Sequence, residues 1–258
     1  MTTNGLLAGK LIAVTRPVHQ AETLCRAIEE AGGEALRFPL LEIVPIADSA
    51  AFAPIAARLS SFDFAFFVSP NAVEHGLAGL RHFRAWPPNL RVAAVGQGSA
   101  RALKANGFDN VLVPTEGFDS EAVLALPEFA PDAIRGHAVL IMRGESGREL
   151  LGETLMARGA HVEYLACYQR RCPDTDPSPL LKRAAHGELD ALSITSSEAS
   201  DYLVKIVGEK GLGCLLPIPV FVPHPRVAEH CRRHGFKQIV TVPSGDDVLL
   251  QAFVAFFG

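Results

Sequence analysis

Short continuous apolar runs alternate along this chain with longer amphipathic stretches. LIAV from Leu11, FAFF from Phe64, VAAV from Val92, VLIM from Val139 and VFV from Val220 are runs of the first kind. Runs of that length and make-up predict strands covered on both faces, which lack the in–out alternation of half-exposed strands. The stretches that follow them carry apolar residues at helical spacing. They open on Ser, Asp or Pro-containing turns and close at Gly, as capped helices do. Strands that alternate with helices predict parallel sheets with helices on both faces.

The pattern then repeats itself nearly half a chain later. LIAVTRPVHQAETLCRAIEEAGGEA from Leu11 matches VLIMRGESGRELLGETLMARGAHVE from Val139. DFAFFVSPNAVEHGL from Asp63 matches DALSITSSEASDYLV from Asp190. VAAVGQGSARALKANGFDNVLVP from Val92 matches VFVPHPRVAEHCRRHGFKQIVTVP from Val220. Each half therefore predicts a small doubly wound α/β domain. Two extended, proline-terminated segments, FPLLEIVP and EYLACYQRRCP, follow the first pair and are alike enough to pair with each other. If the chain crosses there twice, 1–37 joins 174–258 in one domain; if not, the halves stand in tandem. The symmetry permits both.

Composition narrows the class. The 258 residues are 48% hydrophobic and 20% charged, with a formal net charge of −4. That supplies two cores and no basic tract to draw nucleic acid. The first residues, MTTNGLLAGKLIAVTRP, lack a basic n-region, and Lys10 interrupts the apolar stretch, so a signal peptide is not expected. No apolar run reaches the roughly 18 residues a membrane span needs. The five cysteines form no CxxC pair and are expected to be small core or surface residues in a reducing cytosol.

Candidate chemistry collects where strands end, because ligands of open α/β sheets bind beyond the carboxyl edge. The residues there are Thr15-Arg16, Ser69-Pro70-Asn71, Gly96-Gln97-Gly98-Ser99, Arg143-Gly144-Glu145-Ser146, Thr195-Ser196-Ser197 and His224-Pro225-Arg226. Each group precedes a helix, whose free N–H groups and dipole favour anions. Serine is explained by capping alone; arginine is not, and two such edges suit a large polyanion. GQGSA resembles a dinucleotide fingerprint, but its repeat partner, VPHPRVA from Val222, lacks the glycines, so nicotinamide binding is not expected. His230 and His234 have helix-face metal spacing without an evident third ligand, so no metal is expected. Tyr168 stands in the second extended segment and is a candidate to present a phenol to a ligand.

Taken together, TRP at Thr15, VSPNAVE, AVGQGSARAL, LIMRGESGRELL and the YQRR stretch before Pro173 resemble the uroporphyrinogen-III synthase family over nearly the whole chain. The resemblance implies two flavodoxin-like, doubly wound parallel-sheet domains joined by a two-stranded antiparallel linker. Domain 1 is then discontinuous (1–37 plus 174–258), domain 2 is 46–163, and 38–45 and 164–173 are the linkers. It implies a lyase that cyclises hydroxymethylbilane, a linear tetrapyrrole polycarboxylate, to uroporphyrinogen III with loss of water and inversion of ring D. A cytoplasmic monomer with no cofactor, nucleic-acid or membrane partner is expected. The family's tyrosine falls on Tyr168, expected to give a proton to the leaving hydroxyl. Its serines fall on Ser69 and on Ser196 or Ser197, and a turn hydroxyl falls on Ser99. Arg16, Asn71, Gln97 and Arg143 complete the expected substrate contacts. One departure stands out: Val227 takes the place of the second turn hydroxyl, so His224 or Arg226 is expected to meet a carboxylate instead. A non-enzymatic two-domain anion-binding protein would also have twin α/β lobes, and is the alternative reading.

Overall fold

The structure, a computed structural model, describes residues 5–46, 49–117, 119–243 and 245–258. Its strands are β1 Leu11–Val14, β2 Glu34–Arg37, β3 Glu42–Pro45, β4 Phe64–Phe67, β5 Arg91–Ala94, β6 Val111–Leu112, β7 Ala138–Gly144, β8 His161–Arg171, β9 Ala191–Ser193, β10 Val220–Val222 and β11 Ile239–Thr241. They form two sheets, ordered β11-β10-β9-β1-β2 and β3-β8-β7-β4-β5-β6. The chain divides into two compact units accordingly. The first is Met1–Glu42 with Arg171–Gly258, and the second is Ile43–Arg170. The two segments expected as linkers are partly drawn into the second sheet: β3 and β8 are neighbours there, and β8 runs unbroken through Tyr168 to Arg171.

Both sheets have one topology. Reading outward from β2, the first runs β2-β1-β9-β10-β11; reading from β8, the second runs β8-β7-β4-β5-β6, with β3 added outside β8. The equivalences β1/β7, β9/β4 and β10/β5 are those of the sequence repeats. In the first unit the order is the flavodoxin-like 2-1-3-4-5. In the second unit it is the same order circularly permuted, because β7 and β8 come last in the chain. Strands β1 and β9 pair in parallel, as do β7 and β4.

Burial explains why LIAV and FAFF read as continuous apolar runs. Ala13 packs into the core layer with Leu192, Val220 and Leu203, while Ile12 and Val14 pack into the opposite layer with Leu24, Ile28 and Phe253. In the second unit Ala65 and Phe67 join Leu77 and Leu140 on one face, and Phe64 and Phe66 join Phe129 and Leu155 on the other. Alternate residues point to opposite faces, and both faces are covered.

The ends of elements repeat as well. Asn-Gly-Phe and His-Gly-Phe both stop a helix: Gly107 (φ 89) and Gly235 (φ 98) take the left-handed turn. The Phe108 and Phe236 amides donate back to Leu103 and Cys231 carbonyls at 3.1 and 3.2 Å. That is the paired bonding of a Schellman stop, which only glycine enters without strain. At the amino edge, each half carries an aspartate clamp. The Asp190 carboxylate accepts from the Leu11 N–H at 2.9 Å and pairs with Lys10 at 2.9 Å. Asp63 accepts from the Ala138 N–H at 2.8 Å and pairs with His137 at 3.0 Å. Each clamp ties the strand of one repeat segment to the strand of the other.

Candidate functional site

The strand order reverses direction between β1 and β9 and between β7 and β4, which makes those carboxyl ends the expected ligand positions. The same local device is built at both. Ser69, in extended backbone, caps the helix Pro70–Phe83 by accepting from the Ala72 N–H at 3.1 Å. Ser196 caps the helix Ser197–Leu215 by accepting from the Ala199 N–H at 3.0 Å. Ser197 follows, half-buried in the first turn.

In the first unit a cavity of about 240 Å³ opens at this edge, lined by Arg16, Gln20, Thr195, Pro223, Val242 and Leu249 among others. Arg16 is its cation, and Asp246 at the start of the last helix neutralises it through an ion pair. Below, the buried Thr15 hydroxyl donates to the Ser193 carbonyl, and the Ser193 hydroxyl donates to the Ala13 carbonyl at 3.3 Å, stitching β1 to β9. Ser196, Ser197, His224 and Arg226 are not among the residues that line this cavity. His224 is spent locally: its Nδ1 accepts from the Arg226 N–H at 3.0 Å and so caps the helix Pro225–Arg233. Both residues expected to replace the missing hydroxyl are exposed, but only the Arg226 guanidinium is left over, and no carboxylate pairs with it among the described residues. Val227 is 4% exposed where Ser99 is 3% exposed, so both turn positions face inward. Ser99 therefore does not present a hydroxyl at the surface, contrary to expectation; as the third residue of Gln97–Ala105 it lies on the helix's core side.

The second unit holds the tyrosine. Expected to offer its phenol to a ligand, Tyr168 is instead 1% exposed and belongs to the core. β8 continues past the expected linker boundary and pairs Tyr168 with Gly144, where the register shifts by a bulge. A Cβ on Gly144 would lie 3.0 Å from the tyrosine ring, so the bare glycine makes room for it. The phenol oxygen sits 3.0 Å from Ser69 Oγ, and Ser69 is half-buried. His75, one helical turn beyond Asn71, places its ring 6.0 Å from that of Tyr168, and its Nε2 is buried with no hydrogen-bond partner among the described residues. The sequence reading missed His75, although its position one turn past VSPN was the available signal.

The remaining candidates are engaged. Arg143 is 7% exposed, donates to Glu149 at 2.9 Å and lies over the Tyr164 ring at 5.2 Å. Burial first, then Glu149, pushes the Tyr164 phenol upward. Gln97 donates to the Pro114 carbonyl at 3.3 Å, and Asn71 is half-buried in the first turn of its helix. Burial raises the Cys167 thiol to about 12, so it is no nucleophile at neutral pH. The Gly96 loop follows β5, outside the first strand–turn–helix that a dinucleotide fingerprint requires. His230 and His234 have a neighbour of metal-ligating type that their helix spacing does not reveal: Asp201, from another helix.

A family model described as uroporphyrinogen-III synthase HemD matches residues 22–246. A uroporphyrinogen-III synthase of Salmonella typhimurium is 36% identical over 245 residues, covering 93% of this chain and 98% of the relative. The Escherichia coli protein of that name is 33% identical over 244 residues, with 93% and 98% covered. A mutant uroporphyrinogen III synthase from Thermus thermophilus shares the fold with a TM-score of 0.63 at 20% identity, over 95% of this chain and 97% of that one. The uroporphyrinogen-III synthetase of Helicobacter pylori does so with 0.57 at 15%, over 95% and 99%. No described helix is long and apolar enough to cross a membrane. By the extent of the family match and the identity to these relatives, the chain belongs to the uroporphyrinogen-III synthase family.

Proposed function

We propose that this chain is a lyase that cyclises hydroxymethylbilane to uroporphyrinogen III, inverting ring D and releasing water. What carries this reading is the likeness over 93% of the chain to relatives named for that reaction. The geometry supplies the chemistry. The leaving hydroxyl needs a proton, and the resulting azafulvenium cation must be met by the substituted carbon of ring D. Tyr168 is buried, so it acts through Ser69. The serine hydroxyl gives its proton to the leaving group and takes one from the phenol 3.0 Å away, and the proton released when the closed ring regains its aromaticity returns to the phenolate.

Binding falls to the two carboxyl edges. Arg226 and the Ser196-capped helix start offer donors in the first unit. Arg16 accepts a substrate carboxylate by exchange with Asp246, which keeps the empty site neutral. Asn71 and Gln97 contribute amides in the second unit, and Arg143 a guanidinium shared with Glu149. Left alone, the substrate closes to the uninverted isomer, so the protein must favour a competing route. Two or three charge-assisted hydrogen bonds at about 1.5–3 kcal/mol each are enough to hold the required curl, since each ~1.4 kcal/mol shifts the ratio about tenfold. In this reading the protein works as a cytoplasmic monomer without a cofactor.

The test is direct. Freshly generated hydroxymethylbilane is incubated with the protein, and the products are oxidised and separated by isomer. Isomer III is expected; isomer I alone, at the rate seen without protein, refutes the activity and favours a non-catalytic anion-binding role.

A further inference from the structure

Outside the strand edges, three metal-ligating side chains converge on the outer face of the first unit. Asp201 stands on the helix Ser197–Leu215; His230 lies in the last turn of Pro225–Arg233, and His234 is its C-cap. Four residues apart, the two histidines share one helix face. Asp201 Oδ1 lies 2.7 Å from His230 Nε2 and 2.8 Å from His234 Nε2. All three donor atoms fall within 4.8 Å of one another. The framework beneath is fixed: the adjacent residues Ser200 and Cys231 are both fully buried, with Cys231 Sγ 3.5 Å from Ser200 Oγ.

We propose that Asp201, His230 and His234 form a binding site for a divalent transition metal ion, Zn²⁺ above all. Two imidazoles and one carboxylate suit zinc, nickel or copper better than magnesium or calcium, which prefer all-oxygen shells. Bonds of about 2.1 Å at tetrahedral angles set donor atoms about 3.4 Å apart. The present separations of 2.7 and 2.8 Å are those of hydrogen bonds, and the Asp201 oxygen needs to part from each imidazole nitrogen by about 0.6–0.7 Å. Asp201 is 52% exposed, so it can make that adjustment and leaves the fourth position to water.

One neighbour competes with the metal. Arg233 Nη2 lies 2.9 Å from His230 Nδ1. A guanidinium only donates, so Nδ1 accepts and the ring proton sits on Nε2, directed at Asp201. Metal at Nε2 requires the proton to move to Nδ1, where it faces Arg233 and displaces that exposed side chain. Bound metal then pins the C-terminal end of the helix whose N-terminal end carries His224 and Arg226.

The test uses tag-free, chelator-stripped protein, titrated with Co²⁺ by visible absorption and with Zn²⁺ by calorimetry. One ion per chain is expected, with ligand-field bands and no thiolate charge-transfer band. Asp201→Asn and His234→Ala should each weaken binding by roughly tenfold or more. Metal-free melting curves of each variant show whether it is folded. Arg233→Ala keeps every ligand and should bind more tightly. Cys172→Ser and Cys214→Ser should bind as wild type does. No saturable binding, binding that survives loss of Asp201 and His234, binding lost with either cysteine, or no tightening in Arg233→Ala would each overturn the assignment.

Discussion

Replacing Asp190 by alanine tests the clamp that joins the two chain segments of the first unit. The carboxylate accepts from the amide of Leu11, a residue 2% exposed, and holds Lys10 at 2.9 Å. Alanine leaves that amide without an acceptor where water has little access, which costs about 1–3 kcal/mol. The Lys10 pair, with side chains 35% and 22% exposed, adds no more than about 1 kcal/mol. The expected loss is therefore about 1–4 kcal/mol. Asp190→Asn keeps an oxygen for Leu11 and loses only the charge, so about 1 kcal/mol is expected. The separation of the two variants is the informative quantity, because a purely electrostatic clamp would make them alike. Denaturant titration followed by far-UV circular dichroism measures both. Equal destabilisation by Asn and Ala, or an Ala variant within about 0.5 kcal/mol of wild type, refutes the backbone-clamp argument.

Four further outcomes are expected. Tyr168→Phe should depress kcat far more than it raises KM and cost about 1 kcal/mol of stability; an unaltered rate rejects the Ser69 relay. Arg226→Ala should raise KM several-fold with melting unchanged, since the side chain is exposed; unchanged affinity removes it as a carboxylate partner. Gly79→Ala should destabilise by up to about 2 kcal/mol: its Cβ would fall 2.2 Å from the buried Phe52 ring, and an overpacking cost of about 1–3 kcal/mol is offset only by a helix gain of about 1 kcal/mol. Burial raises the Asp63 carboxyl, but the Ala138 amide and His137 more than offset it, so the net shift is downward. A depressed folded value gives stability that is present above the ordinary carboxylate range and lost as pH falls below about 4. Asp63→Asn should therefore flatten the acid limb of the second unit, read by fluorescence of Trp86, the chain's one tryptophan.

The duplication, the alternation of strands with helices, and the serine caps at Ser69 and Ser196 were legible because each is set within a few residues. The clamp was half legible: aspartate opens both copies of one repeat, yet its partners at Leu11 and Ala138 lie 179 and 75 residues away. Tyr168 was misplaced for a related reason. CYQRR is polar around the tyrosine, but burial there is decided by β7 alongside and the helix Pro70–Phe83, neither of which the local sequence reveals. Asp201 escaped notice because helix spacing pairs His230 with His234, while a ligand 29 residues upstream joins only when two helices pack. Ser99 differs again: the resemblance assigns it by its place in the turn, while helical phase, which the motif does not carry, turns it inward.

The permuted topology also sets a schedule for synthesis. The second unit is one continuous segment, whereas β1 must wait for β9, whose preceding residue Asp190 is made 179 residues after Leu11. At about 5–20 residues per second that wait is about 10–40 s. Throughout it LIAV can have β2 on one side and an open strand edge on the other, a template for wrong pairing. Residues near the two described ends lie close together, with the Lys10 ammonium 4.9 Å from the Phe257 ring. Joining them by a short loop and opening the chain at a surface turn between β8 and β9 would make the first unit continuous. Such a permutant should refold with less aggregation than the natural order.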